Sequence, residues 1–200
     1  MERNTGARRT HIKQEIRILG IDDSPLISED ILVVGAVMRG GEWLEGVLRT
    51  YIKKDGLDAT GKLVDMVRSS KHFGQIRVAM LNGVTMGGFN AVDMEALYES
   101  TGIPVISVMR KPPDMASIKS ALKNLSEPEH RFEVISRAGN AIEVPAKRGK
   151  PIYMQYKGLD ADSALNIVRS STTHSRVPEP LRVAHLIATG IVLGESSPRP

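Results

Sequence analysis

A chain of 200 residues, 41% hydrophobic and 25% charged, is long enough for one domain with a substantial core and too evenly mixed for a disordered or fibrous protein. It has no cysteine, which excludes disulfides and thiolate metal sites, and no apolar run long enough to span a bilayer or act as a secretion signal. A net charge of +4 is compatible with a nucleic-acid partner without requiring one.

The polar, basic opening MERNTGARRTHIK reads as a flexible arm or an edge segment over residues 1–14, ahead of a single domain. EIRILGID alternates and then becomes wholly apolar, as a central strand does. DILVVGAVMRGG and EWLEGVLRTYIKKDG follow as a second and third strand, with Gly40 and Gly41 as the hairpin turn. The period then changes. In LDATGKLVDMVRSSKHFG, Leu63, Val64 and Val67 recur at helical spacing, with Asp58 in the N-cap position and Gly74 at the end. IRVAML and IPVISVMR are short apolar runs expected of strands buried on both faces, separated by the helix NAVDMEALYESTG. PPDMASIKSALKNLSEPE is a further helix. RFEVISR and PIYMQY read as strands, and DADSALNIVRSS and EPLRVAHLIATGIVLGE as closing helices.

Three meander strands followed by strand–helix units predict an α/β fold, a mixed sheet flanked by helices, of the ribonuclease-H-like kind. In such a sheet the first and fourth strands lie side by side and parallel. Asp22, at the carboxyl end of the first, then faces Asn82, at the carboxyl end of the fourth, where ligands of such sheets bind. Asp58, at the start of the first helix, can close the cluster, with Asp23 or Asp93 as substitutes. Three oxygen-bearing side chains without Cys or clustered His make a hard site, suited to Mg²⁺ or Mn²⁺ and to phosphodiester hydrolysis. Arg110 and Lys111 end the fifth strand near the same edge and can hold phosphates, as can Lys157, Arg176 and Arg182. Tyr51 can stack on a base. The three glycines of NGVTMGGFNAVD offer flexible amides ahead of a helix. Each residue also has an ordinary structural role open to it: Asp58 an N-cap, Asn82 a turn residue, Asp93 a partner of the helix dipole, the arginines ion-pair members. His185 reads as a core or interface histidine, since no second His stands at metal spacing.

At these residues the chain resembles a known group. GIDDSP resembles the G-[IV]-D-x-S start of the endonuclease V superfamily, and LNGVTMGG occupies the place of that group's D-G strand end. RVPEPLRVAH resembles its C-terminal R-x-P-E-P-x-R-x-A-H segment, and LDADSALNIVRSS fits the helix before it. With DGLDATGKLVDMV and GGFNAVD, the pattern from Arg17 to Gly194 is similar to an archaeal family once called domain of unknown function ninety-nine, whose members are reported to act as endonuclease dU. The resemblance implies an endonuclease V-like fold, Mg²⁺ or Mn²⁺ dependence, and nicking of DNA near a deaminated base, deoxyuridine in this family. It matches Asp22 to the first catalytic aspartate, Asp58 to the carboxylate that opens the first helix, and Arg110 or Lys111 to a phosphate-binding lysine. Two departures stand out. Asn82 replaces an aspartate, and the Pro-Tyr-Ile-Pro wedge of endonuclease V is missing, with only Tyr51-Ile52 nearby. The neutral Asn82 keeps a second function open, a non-catalytic nucleic-acid-binding module on the same fold. An aromatic fraction of 4% leaves few stacking platforms, which keeps a scaffold protein open as a third.

Overall fold

The computed structural model describes residues 15–145 and 149–196, so the expected arm at residues 1–14 lies outside the described residues. The apolar runs become strands: β1 (Arg17–Asp23), β2 (Asp30–Arg39), β3 (Trp43–Lys53), β4 (Val78–Asn82), a small β5–β6 hairpin (Thr85–Met86, Asn90–Ala91), β7 (Val105–Met109), β8 (Ile142–Val144) and β9 (Ile152–Lys157). The helices are α1 (Ala59–Arg68), α2 (Met94–Thr101), α3 (Met115–Leu122), α4 (Pro128–Arg137), α5 (Ala161–Ser171) and α6 (Glu179–Leu193). Seven strands form one sheet in the order β3-β2-β1-β4-β7-β9-β8. As expected, β1 and β4 are parallel neighbours, with Ile18 opposite Val78 and Ile21 opposite Leu81. The meander strands pair antiparallel, and Gly40, at φ +58°, supplies the left-handed turn between β2 and β3.

Side-chain alternation along the central strands sorts the core into two faces. Leu19, Ile21, Val33, Leu81 and Val105 pack with α1, α2 and α4 on one face. Ile18, Met80, Ile106 and Met154 pack with α5, and Leu32, Val34 and Ala36 with α6, on the other. Among the described residues no helix is long and apolar enough to cross a membrane.

Several expected elements differ. RFEVISR lies in α4, not in a strand. Its short alternation hides a longer helical period in which Arg131, Val134, Ile135 and Ala138 are buried. The strand that pairs with β9 is instead β8. Helix α1 stops at Arg68, well before Gly74, where the Ser69 hydroxyl donates back to the Asp65 carbonyl at 2.6 Å. Asn90 and Ala91 belong to β6, and α2 begins only at Met94.

Arg131 is 1% exposed, and among the described residues no carboxylate pairs with it. Its guanidinium donates to the carbonyls of Ser126 (2.6 Å), Gly56 (2.7 Å), Phe89 (2.8 Å) and Asp55 (2.7 Å). One planar cation thus joins α4 to the turn before α1 and to the loop before β6. Arg131→Ala leaves those buried carbonyls without donors, so it should lower stability by about 3 kcal/mol or more in urea unfolding. Arg131→Lys should recover little, because one ammonium cannot span all four acceptors.

Candidate active site

The adjacent carboxylates at the end of β1 fall on opposite faces of the sheet. Asp22 turns toward α6 and is 2% exposed. Its Oδ1 accepts from the Asp23 amide at 3.0 Å and from Asn82 Nδ2 at 3.1 Å. Its Oδ2 lies 2.9 Å from His185 Nδ1. An ionised carboxylate only accepts, so Nδ1 is the donor in this contact. The expected meeting of Asp22 and Asn82 across β1 and β4 is present, and His185 joins it instead of sitting in a core.

His185 reaches Asp22 because of Gly20. A Cβ at Gly20 would collide with the Pro180 backbone. Gly20 and Asp22 share a strand face, and Pro180 and His185 share α6, so backbone contact at one pair brings the other pair within hydrogen-bonding distance. The glycine two residues before Asp22 was the signal in the sequence that a helix approaches there.

Asp23 faces the other way and accepts from the Gly87 amide at 2.8 Å. Burial, then the charge of Asp22, pushes its carboxyl up to about 6. Asp55 takes the Phe89 amide in the same loop at 2.8 Å. Two of the amides expected to hold phosphate in this glycine-rich loop are therefore used by the protein's own carboxylates. Gly88, at φ +88°, is required because a Cβ there would strike the Asp55 side chain.

The other sequence candidates separate into two groups. Hydrogen bonds tie Asp58 away from Asp22: its Oδ1 accepts from the Lys53 amide (3.1 Å) and Asn90 Nδ2 (2.7 Å). Asp58 makes no side-chain cap either, since Asn90 Oδ1 caps the Ala59 amide at 3.0 Å. Asp93 caps α2 and pairs with Arg137 at 3.0 Å. Lys157 lies opposite Val105, the amino end of β7 and the wrong edge of the sheet, and pairs with Glu95 at 3.3 Å. Arg182 pairs at 2.7 Å with Glu179, which is 2% exposed and also accepts from the His174 amide. Arg176 donates to the carbonyls of Arg110 and Pro151, bridging the loops after β7 and before β9. These two arginines brace the protein instead of presenting their charge to a ligand. Arg110 and Lys111 remain exposed at the carboxyl edge, without an ion pair among the described residues. Tyr51 is 46% exposed at the same end, with the Arg49 guanidinium 5.6 Å from its ring centre.

Among the described residues no cluster of three His, Cys, Asp or Glu side chains is arranged to hold a metal. The donors at Asp22 nevertheless suit a hard divalent cation. The carboxylate is buried, no Lys or Arg nitrogen lies within 4.0 Å of it among the described residues, and His185 is its one ion-pair partner. A buried charge with so weak a counter-ion costs several kcal/mol, which a bound cation would offset. Asp22 and the Asn82 amide oxygen supply oxygen ligands, His185 orients the carboxylate through Nδ1, and the remaining positions are left to water.

A family model described as endonuclease dU matches residues 14–192. A UPF0215 protein of Methanosarcina barkeri is 55% identical over 186 residues, covering 93% of this chain and 95% of its own. One of Methanothermobacter thermautotrophicus is 53% identical, covering 92% of both. A crystal structure of an Archaeoglobus fulgidus protein of unknown function superposes with a TM-score of 0.82 at 44% identity, over 88% of this chain and 98% of that one. Human endonuclease V superposes with a TM-score of 0.56 at 16% identity, over 85% and 81%. A Ciona intestinalis endonuclease V, solved with a DNA containing inosine, gives 0.57 at 16%, over 86% and 83%. The last two show that the fold is that of endonuclease V.

Gly20→Ala should force α6 off β1 and lengthen the His185–Asp22 contact. The expected cost is about 1–3 kcal/mol in thermal unfolding.

Proposed function

The chain belongs to the endonuclease dU family, and from that premise we propose that it is a metal-dependent endonuclease acting on DNA with deaminated bases, deoxyuridine by family. The observation that carries the reading is the buried Asp22 carboxylate, held between Asn82 and His185 at the carboxyl ends of two parallel central strands.

Asp22 and Asn82 would hold Mg²⁺ or Mn²⁺, which would supply an activated water and neutralise charge on the phosphate and leaving oxygen. His185 fixes the orientation of the Asp22 carboxylate through Nδ1. Asn82 contributes an amide oxygen in place of a carboxylate, so the site carries one negative charge fewer and binds its cation more weakly. Arg110 and Lys111, exposed at the same edge, would hold phosphate oxygens. Tyr51 offers a face for a base, and damaged bases leave the stack at lower cost than paired ones.

Asn82 is also the observation that favours a second reading, a nucleic-acid-binding module without catalysis. A nicking assay separates the two, using labelled duplexes and single strands with uracil, hypoxanthine or no lesion, in Mg²⁺ or Mn²⁺ or EDTA. Metal-dependent nicking of uracil DNA is expected, lost in Asp22→Asn and reduced about 10–100-fold in His185→Ala. Asn82→Asp should lower the Mn²⁺ concentration needed for half-maximal rate. Salt-sensitive binding with no cleavage by wild type or Asn82→Asp, and no effect of Asp22→Ala on binding, would establish the binding module instead.

A further inference from the structure

Strand β3 is the outer edge of the sheet, and its register ties it to the candidate site. Asp22 lies opposite Val34, and Val34 opposite Arg49, so the three occupy one row on one face. Two strand spacings, about 10 Å, separate the ends of that row. Arg49 also lines an open groove of about 670 Å³ between β3 and α1, on the far side of the edge. Lys62 and Arg68 from α1 line the same groove with Thr50, Asp65 and Ser69. Arg49, Lys62 and Arg68 are exposed, and among the described residues none has a carboxylate within 4.0 Å. This contrasts with Lys157 and Arg182, which are neutralised by acidic partners, and with Arg176, which is held by carbonyls.

We infer that the groove between β3 and α1 is a phosphate-binding channel that carries the nucleic-acid strand away from Asp22 around the sheet edge. The inference rests on the nuclease reading and adds a path for the substrate to it. Three cations against the single carboxylate of Asp65 favour a polyanion. The hydroxyl of Thr50 can add a donor to a phosphate oxygen. Arg49 connects the two surfaces: its strand position belongs to the row of Asp22, the residue lines the groove, and its guanidinium stands near the Tyr51 ring. A strand stacked on Tyr51 therefore meets the first of these cations at once. A second copy of the chain is the competing occupant of a free strand edge. Symmetric pairing there would set the cations against their own images, which disfavours it.

The test is binding of a labelled oligonucleotide of ordinary DNA over a range of salt, in EDTA so that the DNA stays whole. Arg49→Gln/Lys62→Gln/Arg68→Gln should lower the slope of log K against log salt by about 2–3 and weaken binding about 10–100-fold at low salt. Lys119→Gln/Lys123→Gln/Arg169→Gln removes the same charge from exposed positions outside the groove and should leave the slope near wild type. Circular dichroism and melting curves check that both variants fold. Equal losses in the two variants would mean that net charge alone acts, and would overturn the channel. An unchanged slope in the groove variant, with or without a change in sedimentation, would overturn it too; a change would assign the edge to self-association. Nicking by the wild type is scored separately. A slope loss confined to the groove variant, with no nicking, leaves the channel standing and removes the nuclease. Nicking with no slope loss does the reverse.

Discussion

The candidate site depends on one close approach, that of α6 to β1 at Gly20. Hydrogen bonds of the Asp22–His185 kind need their partners placed to within a few tenths of an ångström, and a helix resting on ordinary side chains sits too far from a strand to provide that. Removing a single Cβ lets the Pro180 backbone lie directly on β1. The histidine then arrives from a second layer at a carboxylate that the sheet had already placed beside Asn82. Each part comes from a different level of structure: strand pairing brings the amide, helix docking brings the imidazole.

That docking accounts for several polar residues around the start of α6. Glu179 is buried and bound by Arg182 and by the His174 amide, which anchors the first turn of the helix to the loop before it. Arg176 secures the same loop to the chain after β7 and before β9. Removing any one partner would leave buried polar groups uncompensated, a larger penalty than the net worth of the bonds themselves. The segment from Arg176 to His185 is thus mostly a mount, and only its last residue touches the candidate site.

Much of this was legible in the sequence. The central strands were plain because runs such as ILVVGAVM and VAML are buried on both faces and bounded by turns. Their order was enough to place Asp22 next to Asn82, and alternation alone separated Asp22 from Asp23. What stayed hidden depended on long-range partners. His185 sits between Ala184 and Leu186, and nothing along α6 states which strand the helix meets. Asp58 occupies the helix-start position but gives its oxygen to Asn90, 32 residues on. Lys157 and Arg182 look like free cations until their carboxylates are located. The segment RFEVISR reads as a strand because its first four residues alternate, while the burial of Arg131 that marks it as helix involves carbonyls far away in the chain.

Arg131 gives the molecule a joint of unusual chemistry. Most buried cations are matched to carboxylates, and such pairs dissolve when acid protonates the anionic member. Here every acceptor is a backbone carbonyl or a hydroxyl, none of which titrates. The clasp between α4 and the turn before α1 is therefore blind to proton concentration across the whole range in which carboxylates change charge. Acid unfolding of this protein therefore has to begin at contacts other than this clasp.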